Sequence, residues 1–266
     1  MDRKTLDVTP YPYVNELTQT VLDGARRVLG KGFVGMYLDG SLANGGFDQG
    51  SDIDFVVVTE DDVAGELFLA LREMHERISA LDTPWAIQLE GSYVSRQGVR
   101  RYDPAHVLFP NLERGQGERL KMAEHDPIWA VHRWVLRERG ITVAGPDPRT
   151  LIDPVSVEEL RAGSRHTLNT WAASLAEHPE QMSSKGYQSY VVLTLCRILY
   201  TLELGQVASK QIAASRAQER LGERFGGLIE RALRERLQSD GKPDTETLQE
   251  TVDMIGAVQA IAQNRA

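Results

Sequence analysis

Residues 37–58, Tyr-Leu-Asp-Gly-Ser-Leu-Ala-Asn-Gly-Gly-Phe-Asp-Gln-Gly-Ser-Asp-Ile-Asp-Phe-Val-Val-Val, constrain the fold more than any other stretch of the chain. Apolar, β-branched-rich runs at 33–38 and 53–58, bounded by Gly and Asp, carry the signature of short buried strands. Between them Gly40-Ser41 opens a turn or short helix, and Gly45, Gly46 and Gly50 form a glycine-rich loop. Side chains alternate along a strand, so Asp52 and Asp54 share one side while Ile53 and Phe55 take the other. Two carboxylates on one face repel unless a cation neutralises them, and hard oxygen ligands suit Mg²⁺. The N–H groups and hydroxyl of Gly40-Ser41 offer a place for phosphate. Each half is ordinary alone: most Asp-x-Asp pairs are solvated, and Gly-Ser after a strand is usually a turn. Their combination, with ten residues between Ser41 and Asp52, is far more restrictive.

Around this stretch the pattern predicts an α/β region followed by helices. A helix over 12–29 ends at Gly30, and a second starts at Asp61-Asp62 and runs to Ser79. Residues 85–94, after Thr83-Pro84, read as a third strand, and 95–125, rich in Pro and Gly, as irregular. Asp126-Pro127 opens a helix to Arg139, and 141–144 is a further strand. The cluster Gly145-Pro-Asp-Pro148 marks the boundary between a domain over 1–150 and one over 151–266. The second domain reads as helices at 156–177, 187–204, 208–221, 224–238 and 244–263.

Composition narrows the function. A net charge of −8 disfavours a nucleic-acid footprint, which needs a basic stripe. The single cysteine, Cys196, lies in an apolar run and reads as a core residue of a protein from a reducing cytoplasm. No run is apolar and long enough to predict a membrane span. The six histidines lack metal-ligand spacing, and His132 reads as a packed or surface residue. No P-loop, zinc-protease or nucleophile-elbow motif occurs.

Gly40-Ser-Leu-Ala, Gly46-Phe and Ser51-Asp-Ile-Asp together resemble the signature of the nucleotidyltransferase superfamily, and within it the adenylyltransferases acting on streptomycin and spectinomycin. The segments 191–199 (Val-Val-Leu-Thr-Leu-Cys-Arg-Ile-Leu) and 209–214 (Ser-Lys-Gln-Ile-Ala-Ala) are similar to that family's second half, and the likeness covers nearly the whole chain. The resemblance implies a polymerase-beta-like mixed sheet with flanking helices, an α+β domain, joined to an all-helical bundle. It also implies a cytoplasmic enzyme using Mg²⁺ and ATP to transfer AMP to a hydroxyl of a small molecule, the chemistry of antibiotic resistance. A monomer is expected, with the acceptor held between the two domains and neither nucleic acid nor membrane as partner.

Asp52 and Asp54 are the expected metal ligands. Glu90, on a strand expected beside theirs, is the third carboxylate, as ligand or as the base that takes the hydroxyl proton. The resemblance places the catalytic glutamate at Glu90, with Gly40, Ser41 and Ser51 on the phosphates. Arg197 interrupts an apolar helix, and a buried guanidinium needs an anion, either a triphosphate or a structural carboxylate. The family likeness gives phosphate contacts to both Arg197 and Lys210. Tyr187 and Tyr190 stand where the family carries acidic and polar residues toward a cationic drug, and suit either acceptor contact or helix packing. That departure puts a polycationic acceptor in doubt. Nucleotide transfer to a protein side chain, or nucleotide binding without catalysis, are the competing readings.

Overall fold

A computed structural model describes residues 6–115, 117–236 and 241–264. The chain divides into two compact units. One comprises the described residues up to Phe47 with Ser51–Val155, the other Asp48–Gly50 with those from Ser156 onward.

The first unit starts with helix α1 (Pro12–Leu29), where Pro12 sets the first turn and Val14, Leu17, Val21, Leu22, Ala25 and Leu29 are buried at helical spacing. Then follow β1 (Phe33–Leu38), the one-turn helix α2 (Gly40–Ala43), β2 (Ile53–Thr59), α3 (Gly65–Ser79), β3 (Leu89–Ser95), α4 (Arg96–Arg100), β4 (Leu108–Leu112), β5 (Lys121–Glu124), α5 (Trp129–Arg139) and β6 (Ile141–Ala144). The strands form one sheet of order β5-β4-β3-β2-β1-β6. Only β2 and β3 pair in parallel, through the crossover that contains α3; the other neighbours are antiparallel. The sheet is therefore mixed, as expected.

Alternation gives the sheet two apolar faces. Met36, Leu38, Ile53, Phe55, Val57 and Tyr93 pack with α1 and α3, while Tyr37, Val56, Val58 and Val94 pack with Trp129 and Leu136 of α5. Asp54 and Glu90 precede Val56 and Ser92 by two residues, so they share the α5 face.

Four features of this unit differ from the pattern-based expectation, the first being that α5 begins at Trp129, with Asp126 and Pro127 in the turns that precede it. Helix α3 begins at Gly65, not at Asp61-Asp62, because Asp62 is engaged by His106 Nδ1 at 2.7 Å instead of capping a helix. β3 begins at Leu89: residues 86–88 form a 3₁₀ turn, and Trp85 stacks on Tyr13 of α1 with centroids 4.2 Å apart. The stretch 95–125 is not irregular. It holds α4, capped by the Ser95 hydroxyl, and the hairpin β4–β5, whose Pro110 and short length mask it in sequence.

The second unit is helical. α6 (Val157–Thr167) starts with a capping box of Ser156 and Glu159, then passes through a π-helical segment (Leu168–Ala172) into α7 (Ala173–Glu177). α8 (Lys185–Leu204) has Ser184 as its cap and ends at Gly205 in the left-handed conformation, φ +65°. α9 (Lys210–Glu235) and α10 (Thr245–Gln263) complete the unit. α8 is its apolar axis: Val191, Val192, Leu193, Leu195, Cys196 and Leu199 are all fully buried. Burial pushes the Cys196 thiol up to about 12. The two helices expected at 208–221 and 224–238 are one, apart from residues 237–238, which lie outside the described residues. Gly222, Gly226 and Gly227 do not break α9, because Ala213, Ala214, Ala217, Phe225, Leu228, Ile229 and Ala232 continue one buried stripe through them. No helix among the described residues is long and apolar enough to cross a membrane.

Candidate active site

The ends of three strands converge on one group of carboxylates. Asp54 and Glu90 are register partners across the parallel β2–β3 pair, and Asp52 lies two residues before Asp54. One carboxylate oxygen from each of the three lies within 4.8 Å of the others. Asp39, at the end of β1, donates its backbone N–H to the Asp54 carbonyl at 3.0 Å and adds a fourth carboxylate, 3% exposed. Burial, then the charges of Glu90, Asp39 and Asp52, lifts the Asp54 carboxyl well above its usual range. Glu90 is raised as well, by burial and by Asp52. Gly40 takes φ +56°, and a Cβ there would overlap the Asp54 carboxylate, so only glycine lets the backbone approach this closely. The hydroxyl of Ser41 is buried with no hydrogen-bond partner among the described residues. Ser51, also buried, follows the glycine-rich loop directly before Asp52.

Two basic side chains complete this region, and neither was read from sequence as part of the site. His132 of α5, half exposed, donates Nδ1–H to Asp39 Oδ2 at 3.1 Å and stacks on Trp129, centroids 5.3 Å apart. Crowding by protein atoms opposes its charge. The Asp39 hydrogen bond and the charges of Asp39, Asp54 and Glu90 outweigh that, so its pKa is raised. Its position three residues after Trp129 and four before Leu136, both buried, was the available signal for an inward-facing histidine. Arg114, on the loop after β4, donates from Nη1 to Asp52 Oδ1. It escaped notice because 95–125 gave no pattern from which to place it. Deeper on the same face, His125 stacks on Trp129 at 3.8 Å and meets the Ser92 hydroxyl at 3.2 Å; burial pulls its pKa down to about 2.

The remaining sequence-derived residues lie in the second unit. Arg197 is partly buried in α8; its Nη2 donates to Thr194 Oγ1 at 3.4 Å, and its Nε has no hydrogen-bond partner among the described residues. Lys210, at the start of α9, holds its Nζ 5.9 Å from the centre of the Tyr190 ring. Tyr187 and Tyr190 stack 6.0 Å apart, Trp171 meets Tyr190 edge-on, and the Trp171 indole donates to the Tyr187 hydroxyl at 3.3 Å. Tyr187 packs against the helical core, whereas Tyr190 is 42% exposed.

Residues 26–95 match a nucleotidyltransferase domain, and residues 150–260 match the C-terminal domain of aminoglycoside adenylyltransferases. The chain carries a nucleotidyltransferase domain. A spectinomycin 9-adenylyltransferase of Staphylococcus aureus is 28% identical over 211 residues, 75% of this chain and 76% of that protein. The Campylobacter jejuni protein of the same name is 26% identical over 226 residues, 81% and 84% of the two chains. An aminoglycoside (3'') (9) adenylyltransferase of Klebsiella pneumoniae is 34% identical over 93 residues, 35% of this chain and 33% of that one. The fold is that of a spectinomycin adenyltransferase from Enterococcus faecialis solved with ATP and spectinomycin. It superposes with a TM-score of 0.73 at 16% identity, over 92% of this chain and 98% of that one.

The nucleotidyltransferase domain has a donor set that fits a divalent cation. Asp52, Asp54 and Glu90 present hard oxygens within one coordination sphere's reach, and burial together with the neighbouring carboxylate charges makes an uncompensated charge on Asp54 costly. Mg²⁺ suits such a set because it takes a few carboxylates and fills its remaining positions with water or phosphate.

Proposed function

We propose that the chain transfers AMP from ATP to a hydroxyl group of a small molecule and releases pyrophosphate. The observation that carries this reading is the meeting of Asp52, Asp54 and Glu90 beside the Gly40–Ser41 turn. In the proposed roles, Asp52 and Asp54 hold Mg²⁺, with Glu90 close enough to contribute. The metal, when bound, supplies charge neutralisation to the triphosphate. Glu90 takes the proton of the acceptor hydroxyl as that oxygen forms its bond to the α-phosphorus and the bond from α-phosphorus to the bridging oxygen of pyrophosphate breaks. The upward shift of Glu90, from burial and then from Asp52, makes it a stronger proton acceptor than a free carboxylate. Gly40, Ser41 and Ser51 are proposed to meet the phosphates, and the partnerless Ser41 hydroxyl supports this. Arg197, with its unsatisfied Nε, and Lys210 are proposed as further phosphate-binding cations.

For the acceptor we propose a hydroxylated cyclic compound of the aminoglycoside or spectinomycin kind, with Tyr187 and Tyr190 as its contacts. Support comes from the spectinomycin 9-adenylyltransferases that the chain resembles and from the exposed Tyr190 ring. Tyrosines cannot neutralise a guanidinium removed from water. Spectinomycin is therefore expected to be the better acceptor, and streptomycin a poor one. Incubation with ATP, Mg²⁺ and a panel containing both drugs tests the reading, with pyrophosphate release and acceptor mass as readouts. The expected result is one AMP added to spectinomycin. AMP found on the protein instead, or on nothing in a broad hydroxyl panel, would overturn the proposal.

A further inference from the structure

Asp52 is asked to do two things at once. It belongs to the carboxylate trio suited to a divalent cation, yet it is bonded to the Arg114 guanidinium. Arginine stays charged at any ordinary pH, so Arg114 cannot make way by losing its proton. A monovalent and a divalent cation on one carboxylate repel strongly at such range. His132 poses no such conflict, because its hydrogen bond goes to Asp39, outside the trio. Arg114 is half exposed on a long, flexible side chain, so its guanidinium can swing away while the backbone stays anchored by the Gly115 N–H donating to the Ile87 carbonyl at 2.9 Å. Once displaced, the guanidinium is free to pair with another anion beside this site. A nucleoside triphosphate brought in with the metal supplies one, and its oxygens match the forked N–H geometry.

We infer that Arg114 is a nucleotide-binding residue: it holds Asp52 in the metal-free protein and moves its guanidinium to the phosphates when metal and nucleotide enter together. The device favours the metal–nucleotide pair over the metal alone. Bare metal must evict Arg114 without compensation, whereas the complex offers the evicted side chain a new partner.

The inference rests on the nucleotide-transfer reading, but its test needs no acceptor, so a wrong acceptor class leaves it standing. Calorimetry with Mn²⁺ alone and with Mg²⁺–ATP is compared for wild type, Arg114→Gln and Arg114→Lys. Opposite signs are expected for Arg114→Gln. Mn²⁺ alone should bind roughly 3- to 30-fold tighter, since one nearby positive charge is gone. Mg²⁺–ATP should bind about tenfold more weakly, the worth of one charge-assisted contact. Arg114→Lys, which keeps the charge and loses the fork, should lie between wild type and Arg114→Gln on both. Both affinities falling would mean that Arg114 only supports the loop. Both rising would mean that it merely repels the metal. Neither changing would mean that it touches nothing that matters. Each of these results overturns the inference, and wild-type protein that binds no Mg²⁺–ATP would overturn the nucleotide reading along with it.

Discussion

A carboxylate placed in register with another across a parallel strand pair destabilises the metal-free fold, and Asp54 is held there with Asp39 and Asp52 also near. Replacing one charge by an amide relieves that repulsion. Asp54→Asn should raise the melting temperature in excess EDTA by about 2–4 °C, roughly 1 kcal/mol for a protein of this size, and should abolish the stabilisation by Mg²⁺–ATP that the proposed function predicts for the wild type. An unchanged or lower melting point in EDTA would show that Asp54 is not under charge strain. Glu90→Gln separates a base from a ligand. If Glu90 accepts the proton, Mg²⁺–ATP should bind nearly as in wild type while turnover falls about 10²- to 10⁴-fold; turnover within threefold of wild type would remove Glu90 from the mechanism. The three carboxylates were legible in sequence because strand alternation and motif spacing place them. Arg114 was not, since its position depends on a hairpin that the sequence blurs; His132 had the helical spacing of an inward-facing residue, but only the folded sheet brings Asp39 to meet it.

At the scale of elements, glycine carries two opposite meanings in this chain. Gly40 is required, because its backbone lies against Asp54; Gly222, inside α9, has nothing within 4 Å of the place where a Cβ would go. Gly222→Ala should therefore stabilise the protein by roughly 0.5–1 kcal/mol, through helix propensity and a less flexible unfolded chain. Urea unfolding with an unshifted or lowered midpoint would show that the site is more crowded than its geometry implies. The same glycines explain why α9 was read as two helices: local propensity argued for a break, and the buried stripe from Ala213 to Ala232 overrode it. β1 and β2 were legible because their apolar runs are uninterrupted. β4 and β5 were hidden because a proline and exposed residues such as Leu108 and Met122 blur the alternation.

Over the whole molecule, two buried histidines set an acid limit on the first unit. His75, bonded through Nε2 to the Tyr93 hydroxyl at 2.7 Å, is held down to about 4 by burial, and His125 to about 2. Unfolded, both titrate near the ordinary 6.5. The unfolded chain thus takes up their protons first, and stability that is full above pH 6.5 drains away as pH falls toward 4. The His75 share is on the order of 3 kcal/mol. Asp54 and Glu90, raised in the fold, act with the opposite sign, so the useful quantity is the difference between wild type and His75→Gln. The variant should lose less stability than wild type between pH 7 and pH 4.5; equal losses would acquit His75. The second unit holds no comparably buried histidine among the described residues, but its axis contains the chain's sole thiol, Cys196, fully enclosed. That thiol is a built-in clock. A maleimide can mark it only when α8 opens, and each molecule can be marked only once. The rate of labelling under native conditions thus times the opening of the helical unit. Marking as fast as a free cysteine would mean that α8 spends its time ajar.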